Sequence, residues 1–282
     1  MKKILLATDL SARSDRALDR AVNLARLHEA ALEIVHVVDE DLPDALATAQ
    51  RDAARSAIEA EIGQLDSANE LAVSVHVVLG RAHVDILDLA EKTDAEIIVL
   101  GMHRIEPIKD MFRGTTVERI IRGGQLPVLL VRDRVGGPYG NALVGVDFSV
   151  YSRRAVEFAV KLVPGGAFHL VHAYDVPFKG FLHGSDTRRV VNQQQKDQFD
   201  RMIEDEMAGF LAGIKGSPPR IEQIMEEGVA REVIARQVDL LKPELLVIGT
   251  HGRTGVAHAL LGSVAEDVLN NPPCDVLVVK AW

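Results

Sequence analysis

At 282 residues the chain is long for a single core and suits two domains of about 140 residues each. Its 47% hydrophobic and 26% charged content is that of a folded globular protein rather than a disordered one. A formal net charge of −9 argues against nonspecific binding to DNA or RNA and against docking on anionic lipid, so no nucleic acid and no membrane is expected as a partner. No segment reaches the length of a membrane span. The apolar run Ile4 to Ala7 behind Met1, Lys2 and Lys3 is too short for a signal sequence, which makes the cytoplasm the expected location. The single cysteine, Cys274, has no disulfide partner within the chain and lies in an apolar run, where burial as a small hydrophobe is its expected fate.

Along the first half, strand-like and helix-like patterns alternate. Ile4 to Thr8 is a short apolar strand ending at Asp9, and Ser14 to His28 carries Ala17, Ala21, Leu24 and Ala25 at helical spacing. Leu32 to Val38 is a strand, Pro43 to Leu65 a long mixed helix, Ala72 to Leu79 a strand and His83 to Lys92 a helix. Glu96 to Leu100, Thr115 to Ile121 and Pro127 to Arg132 then read as strand, helix and strand.

The second half repeats this order. The stretch from Leu5 aligns with the stretch from Leu143, pairing Asp9 with Asp147 and Ser11 with Ser149, an offset of 147 − 9 = 138. Further on, Gly101 pairs with Gly249 and His103 with His251, an offset of 249 − 101 = 148, the difference being an insertion that fits the longer segment from Asp175 to Phe199. Tandem βαβ units imply parallel strands joined by right-handed crossovers. Each half is therefore expected to be a doubly wound α/β domain of the flavodoxin-like class, five parallel strands in the order 3-2-1-4-5, binding ligands beyond the carboxyl ends of its strands. The glycines and proline of Arg134 to Gly140 make that stretch the connector, dividing the chain into 1–137 and 138–282. Residues Tyr174 to Phe210 read as a lid or a solvated loop, with a charged helical run from Asn192.

The most informative stretch is Gly249 to Leu269. It follows the strand-like run Leu245 to Ile248 and leads into a helix opening near Ser263. Gly249 and Gly252, without a Cβ, let the backbone come close to a ligand. Gly262 and Ser263 are expected to present free N–H groups and a hydroxyl at a helix N-terminus, where anions are favoured. The spacing is neither a Walker loop nor the dinucleotide fingerprint. Read without a ligand, the same residues make a tight strand-to-helix connection with Ser263 as N-cap. Asp147 likewise has two readings, as acceptor for an adenine or ribose donor and as a cap for the helix near Ser149 to Ser152. No cluster of Cys, His and carboxylates has metal-ligand spacing.

Gly249, Gly252, Gly262 and Ser263 together resemble the nucleotide-binding motif of universal stress proteins, and with the repeat the resemblance spans nearly the whole chain. It implies two adenine nucleotide alpha hydrolase-like domains whose last strands pair with each other, an intramolecular pseudo-dimer that leaves a homodimer open. It also implies an ATP site in the second half made by Gly145, Val146, Asp147, Ala173, Ile248, Gly249, His251, Gly252, Arg253, Gly262, Ser263 and Val264. Any Mg²⁺ would arrive with the triphosphate, held mainly by its oxygens. In the first half Arg104 stands where the second has Gly252 and would fill the volume a phosphate needs, so that copy is expected to be degenerate for ATP. The resemblance implies a stress-response role, regulatory or protective, with an unidentified protein partner. The alternatives are a slow ATPase or phosphotransfer enzyme, for which no general base is evident, and a nucleotide-independent scaffold.

Overall fold

The computed structural model describes residues 1–65, 71–102, 115–175, 186–215, 220–250 and 261–280, with side chains except at 13, 186–197 and 199. In the first half the chain runs through β1 (Lys3–Ala7), α1 (Ala12–His28), β2 (Ala31–Asp39), α2 (Asp44–Gln64), β3 (Val73–Gly80), α3 (Ala82–Lys92), β4 (Ile97–Gly101), α4 (Thr116–Gly123) and β5 (Val128–Val131). The second half repeats the order with β6 (Asn141–Gly145), α5 (Val150–Leu162), β7 (Ala167–Tyr174), α6 (Asp186–Ala212), β8 (Arg220–Glu227), α7 (Ala230–Leu241), β9 (Leu245–Gly249), α8 (Ser263–Asn270) and β10 (Asp275–Val279). The expected elements are present with ends displaced by one or two residues. One segment differs in extent and burial: the helical run expected from Asn192 begins at Asp186 as α6, and its Ile203, Met207 and Phe210 are buried rather than solvated.

The ten strands among the described residues form one sheet in the order β3-β2-β1-β4-β5-β10-β9-β6-β7-β8, so each half has the expected order 3-2-1-4-5. Within each half every pairing is parallel. Across the join, β5 and β10 are antiparallel, with Leu129 opposite Leu277, Val128 opposite Val278 and Leu130 opposite Val276. Since 277 − 129 = 148, the repeat offset, Leu129 faces its own counterpart, and the flanking pairs exchange places as a two-fold axis through that point requires. This pairing also covers two apolar edges that would otherwise be open templates for aggregation.

The buried residues sort by face of the sheet, not by half. On one face α1, α2, α5 and α6 pack over Ile4, Leu6, Leu32, Val144, Leu170 and Leu277. On the other α3, α4, α7 and α8 pack over Leu5, Ile98, Leu130, Leu143, Leu246 and Val278. Strands buried on both faces need apolar residues at consecutive positions, and LLVI at 245–248 and VLLV at 128–131 supply them.

At the join lies a buried polar knot. Asp275, 1% exposed, accepts hydrogen bonds from Arg132 N (2.8 Å), Asp133 N (3.0 Å) and Tyr139 Oη (2.6 Å). Arg20 of α1 approaches the same carboxylate at 3.4 Å, lies over the Tyr139 ring at 3.9 Å and donates to Gly137 O at 2.8 Å. The connector is thus packed into the fold, with Tyr139 buried, where its glycines and proline suggested only a link.

Candidate functional site

The second half's site lies where the sheet reverses its winding. From β6 the chain moves outward through α5 on one face to β7, while β9, the other neighbour of β6, feeds α8 on the opposite face. A crevice between diverging connections is where α/β sheets bind ligands. The register places the expected residues on its rim. Val144 lies opposite Val247 and Gly145 opposite Val171. Extending both ladders sets Asp147 level with Thr250 on one side and with Ala173 on the other. Gly145, Val146, Asp147, Ala173, Ile248, Gly249, Gly262, Ser263 and Val264 therefore belong to one edge or to the helix that begins there. His251, Gly252 and Arg253 lie outside the described residues, as do His103, Arg104 and Gly114 in the first half.

Two readings of this loop change. Ser263 is not the N-cap of α8. The cap is Gly262, with φ −63° and ψ 151°, and no side chain among the described residues caps the helix. Gly262 N–H is also not free, because it donates to Thr250 O at 2.9 Å and closes the loop between β9 and α8. The donors left at the helix start belong to Ser263, Val264 and Ala265, the first helical residues, whose N–H groups have no partner within the helix. The first half is built differently: Thr115 is the N-cap of α4 and its hydroxyl accepts from Glu118 N at 3.1 Å. Thr115 and Ser263 are counterparts by the repeat, 263 − 115 = 148, yet only the threonine hydroxyl caps its helix.

Asp147 forms a turn with the residues that follow. Its Oδ1 accepts from Ser149 N (3.0 Å) and Ser149 Oγ (2.6 Å), and its own N–H donates to Ser152 Oγ (3.3 Å). Ser149 is the N-cap of α5 and accepts from Ser152 N at 3.1 Å, so the aspartate orients the cap rather than capping the helix itself. Asp9 makes the same turn through Ser11 N and Ser14 Oγ. Between aspartate and serine the backbone is left-handed in both copies, at Leu10 (φ 60°) and Phe148 (φ 61°). Such a conformation costs a non-glycine residue roughly 1 kcal/mol or more, and its presence at matched positions shows that the turn is built into the repeat.

An aromatic wall beside this turn was not foreseen. His172 Nδ1 lies 2.8 Å from Val146 O, and its ring packs on Phe148 at 4.1 Å between centroids. Phe148 meets Phe210 of α6 edge-on at 5.8 Å, while Tyr174 stacks on His172 at 6.5 Å and donates to Asp200 Oδ1 at 2.9 Å. Burial and the Asp200 carboxylate push the Tyr174 phenol up to about 12. In the first half His36 keeps the histidine contact, to Thr8 O at 2.9 Å. Leu10 and Val38, however, stand where the second half has Phe148 and Tyr174. The signal was present in the sequence, since these aromatics enter one copy at positions aliphatic in the other.

A winding-reversal crevice, a helix start and an aspartate turn meet here in a doubly wound α/β protein. The chain belongs to the universal stress protein family: the family's sequence model matches it twice, over residues 1–132 and 138–280. It is 48% identical over 147 residues to Universal stress protein MJ0531 of Methanocaldococcus jannaschii, covering 50% of this chain and 82% of that one. With Universal stress protein E of Escherichia coli K12 it shares 43% identity over 197 residues, covering 66% of this chain and 60% of that one. With the Universal stress protein E homolog of Haemophilus influenzae it shares 25% over 234 residues, covering 75% and 71%. The chain thus spans less than two thirds of the Escherichia coli relative's length. A crystal structure of a universal stress protein from Archaeoglobus fulgidus shares the fold at a TM-score of 0.70 and 20% identity, covering 99% of this chain and 98% of that one. No described helix is long and apolar enough to cross a membrane.

Proposed function

We propose that this universal stress protein binds ATP in its C-terminal half, residues 138–282, and that residues 1–137 serve as its pseudo-dimer partner and scaffold. The observation that carries this reading is the start of α8. Its first helical N–H groups and the Ser263 hydroxyl follow Gly262, which is bonded to Thr250 just past the carboxyl end of β9, and no side chain among the described residues caps them. Where the first copy spends its threonine hydroxyl on its own helix, the second keeps a hydroxyl and backbone donors for an anion. Phosphates would lie against Gly249, Gly252, Gly262, Ser263 and Val264, with His251 and Arg253 as further donors. The nucleoside would lie toward Gly145, Val146, Asp147, Ala173 and Ile248. Mg²⁺ would come with the triphosphate. The role that follows is regulatory or protective, with occupancy altering the conformation offered to a protein partner.

Mass spectrometry of small molecules that co-purify with the protein, followed by titration of ATP, ADP and AMP, tests this. ATP recovered unchanged supports binding; steady phosphate release lost in Ser263→Ala makes the protein an ATPase. A chain that purifies empty and shows no thermal shift with ATP is a scaffold, and the proposal fails. At a hundredfold excess over Kd, ATP should stabilise the C-terminal half by about 2.7 kcal/mol.

A further inference from the structure

The two ends of the β5–β10 seam are filled differently. At one end the connector closes the space, with Tyr139 buried, Arg20 over its ring and Asp275 beneath its hydroxyl. The repeat relates Arg20 to Phe158 (158 − 20 = 138) and Asp275 to Pro127 (275 − 127 = 148), so the charged pair has an apolar counterpart at the other end. There a groove of about 500 Å³ opens, with Leu126, Pro127, Phe158 and Val279 as apolar lining and Arg154 and Lys280 as cations.

Neither cation has a carboxylate partner among the described residues. Arg154 Nη1 is buried with no hydrogen-bond partner among the described residues, whereas its counterpart Arg16 donates Nη1 to Arg132 O at 2.7 Å. Lys280 Nζ donates to the Arg122 carbonyl at 2.5 Å, and burial lowers its pKa. The carboxylates of the groove have partners other than Arg154 and Lys280: Glu96 pairs with Lys161, a third cation of the lining, and accepts from Lys2 N at 2.6 Å, and Glu157 accepts from Lys215 N at 3.1 Å. A buried donor without an acceptor is costly, and a charged donor more so.

We propose that this groove binds a small organic anion, a carboxylate or phosphate carried on a flat apolar body. Arg154 and Lys280 hold the charged group, and Phe158 with Pro127 packs the body. An Arg–anion contact is charge-assisted and directional, and the volume is that of a small-molecule site. None of these residues is assigned to the nucleotide, although Val279 pairs with Gly249 at the same rim, so competition with ATP belongs to the test.

The test is titration of the full chain with phenyl phosphate and with benzoate, using benzyl alcohol as the uncharged comparison, followed by amide resonances. Saturable shifts at Leu126, Phe158 and Lys280 are expected from an anion, and the tighter of the two names the class. Arg154→Gln should weaken binding about tenfold, Arg154→Lys should restore part of it, and Arg16→Gln at the filled end should change nothing. Lys280→Gln is a second loss variant should Arg154→Gln fold poorly. Equal affinity for benzyl alcohol, unchanged affinity in both loss variants, or displacement of the probe by ATP would overturn the proposal.

Discussion

Ser263 and Thr115 stand at matched positions, and their different uses yield a prediction that separates a structural hydroxyl from a functional one. Thr115→Ala removes an N-cap hydrogen bond and should cost about 1 kcal/mol in urea unfolding. Ser263→Ala removes no cap, so its unfolding midpoint should hold while ATP affinity falls by about tenfold. A loss of stability in Ser263→Ala of the same size as in Thr115→Ala would make the serine structural. Gly252→Arg should abolish nucleotide binding, measured by calorimetry; unchanged affinity would remove the steric argument against the first copy. Cys274, 5% exposed and with its thiol pushed up to about 12 chiefly by burial and then by Asp275, should resist alkylation at pH 8 until the protein is unfolded in urea. At this scale the sequence was legible only in part. Its pattern located the loop and the helix start, but which of two adjacent residues becomes the cap depends on the hydrogen bond from Gly262 N–H to Thr250 O. That bond closes over residues with no regular pattern.

Among elements, the least legible feature is the most consequential for packing. Asp275 was read as one more position in the apolar run from Cys274 to Val279, yet it starts β10 nearly buried and gathers donors from α1, the end of β5 and the connector. Its partners are 136 to 143 residues away for the hydrogen bonds, a separation no local periodicity encodes. Asp275→Ala leaves Arg20 buried without its counter-charge and should cost about 3–5 kcal/mol. α6 was half seen, because its charged face suggested solvation while Ile203, Met207 and Phe210 supply a buried stripe at helical spacing. Its hold on β7 includes Tyr174, whose folded pKa lies above that of a free phenol because the neutral form is favoured. A raised pKa gives stability that is complete below the unfolded value near 10 and lost as pH rises towards about 12. Urea midpoints should therefore fall between pH 9.5 and 11.5, and by less in Tyr174→Phe.

For the whole molecule, strand order was readable because a repeat of βαβ units constrains topology more tightly than any single motif does, while the pairing of the halves came from the family resemblance alone. A sorting the repeat does not reveal is that the continuous sheet groups the buried residues of both halves by face. The exchange of register about Leu129 and Leu277 suggests how the tandem chain relates to single-domain assemblies. Produced alone, residues 138–282 would expose β10 as an apolar edge, and sedimentation should show a dimer closed through that strand. A stable monomer would mean that the edge needs no cover.

Because β5 and β10 run in opposite senses, the carboxyl rims of the lobes look away from each other, toward opposite borders of the sheet. Two occupants, one per lobe, would never touch. Whatever one lobe tells the other crosses a zipper of three residue pairs, the ionic clasp beside it and flanking ion pairs such as Arg122 with Glu266 and Lys161 with Glu96, and β10, which follows α8 after a few residues, ties that helix directly to the zipper.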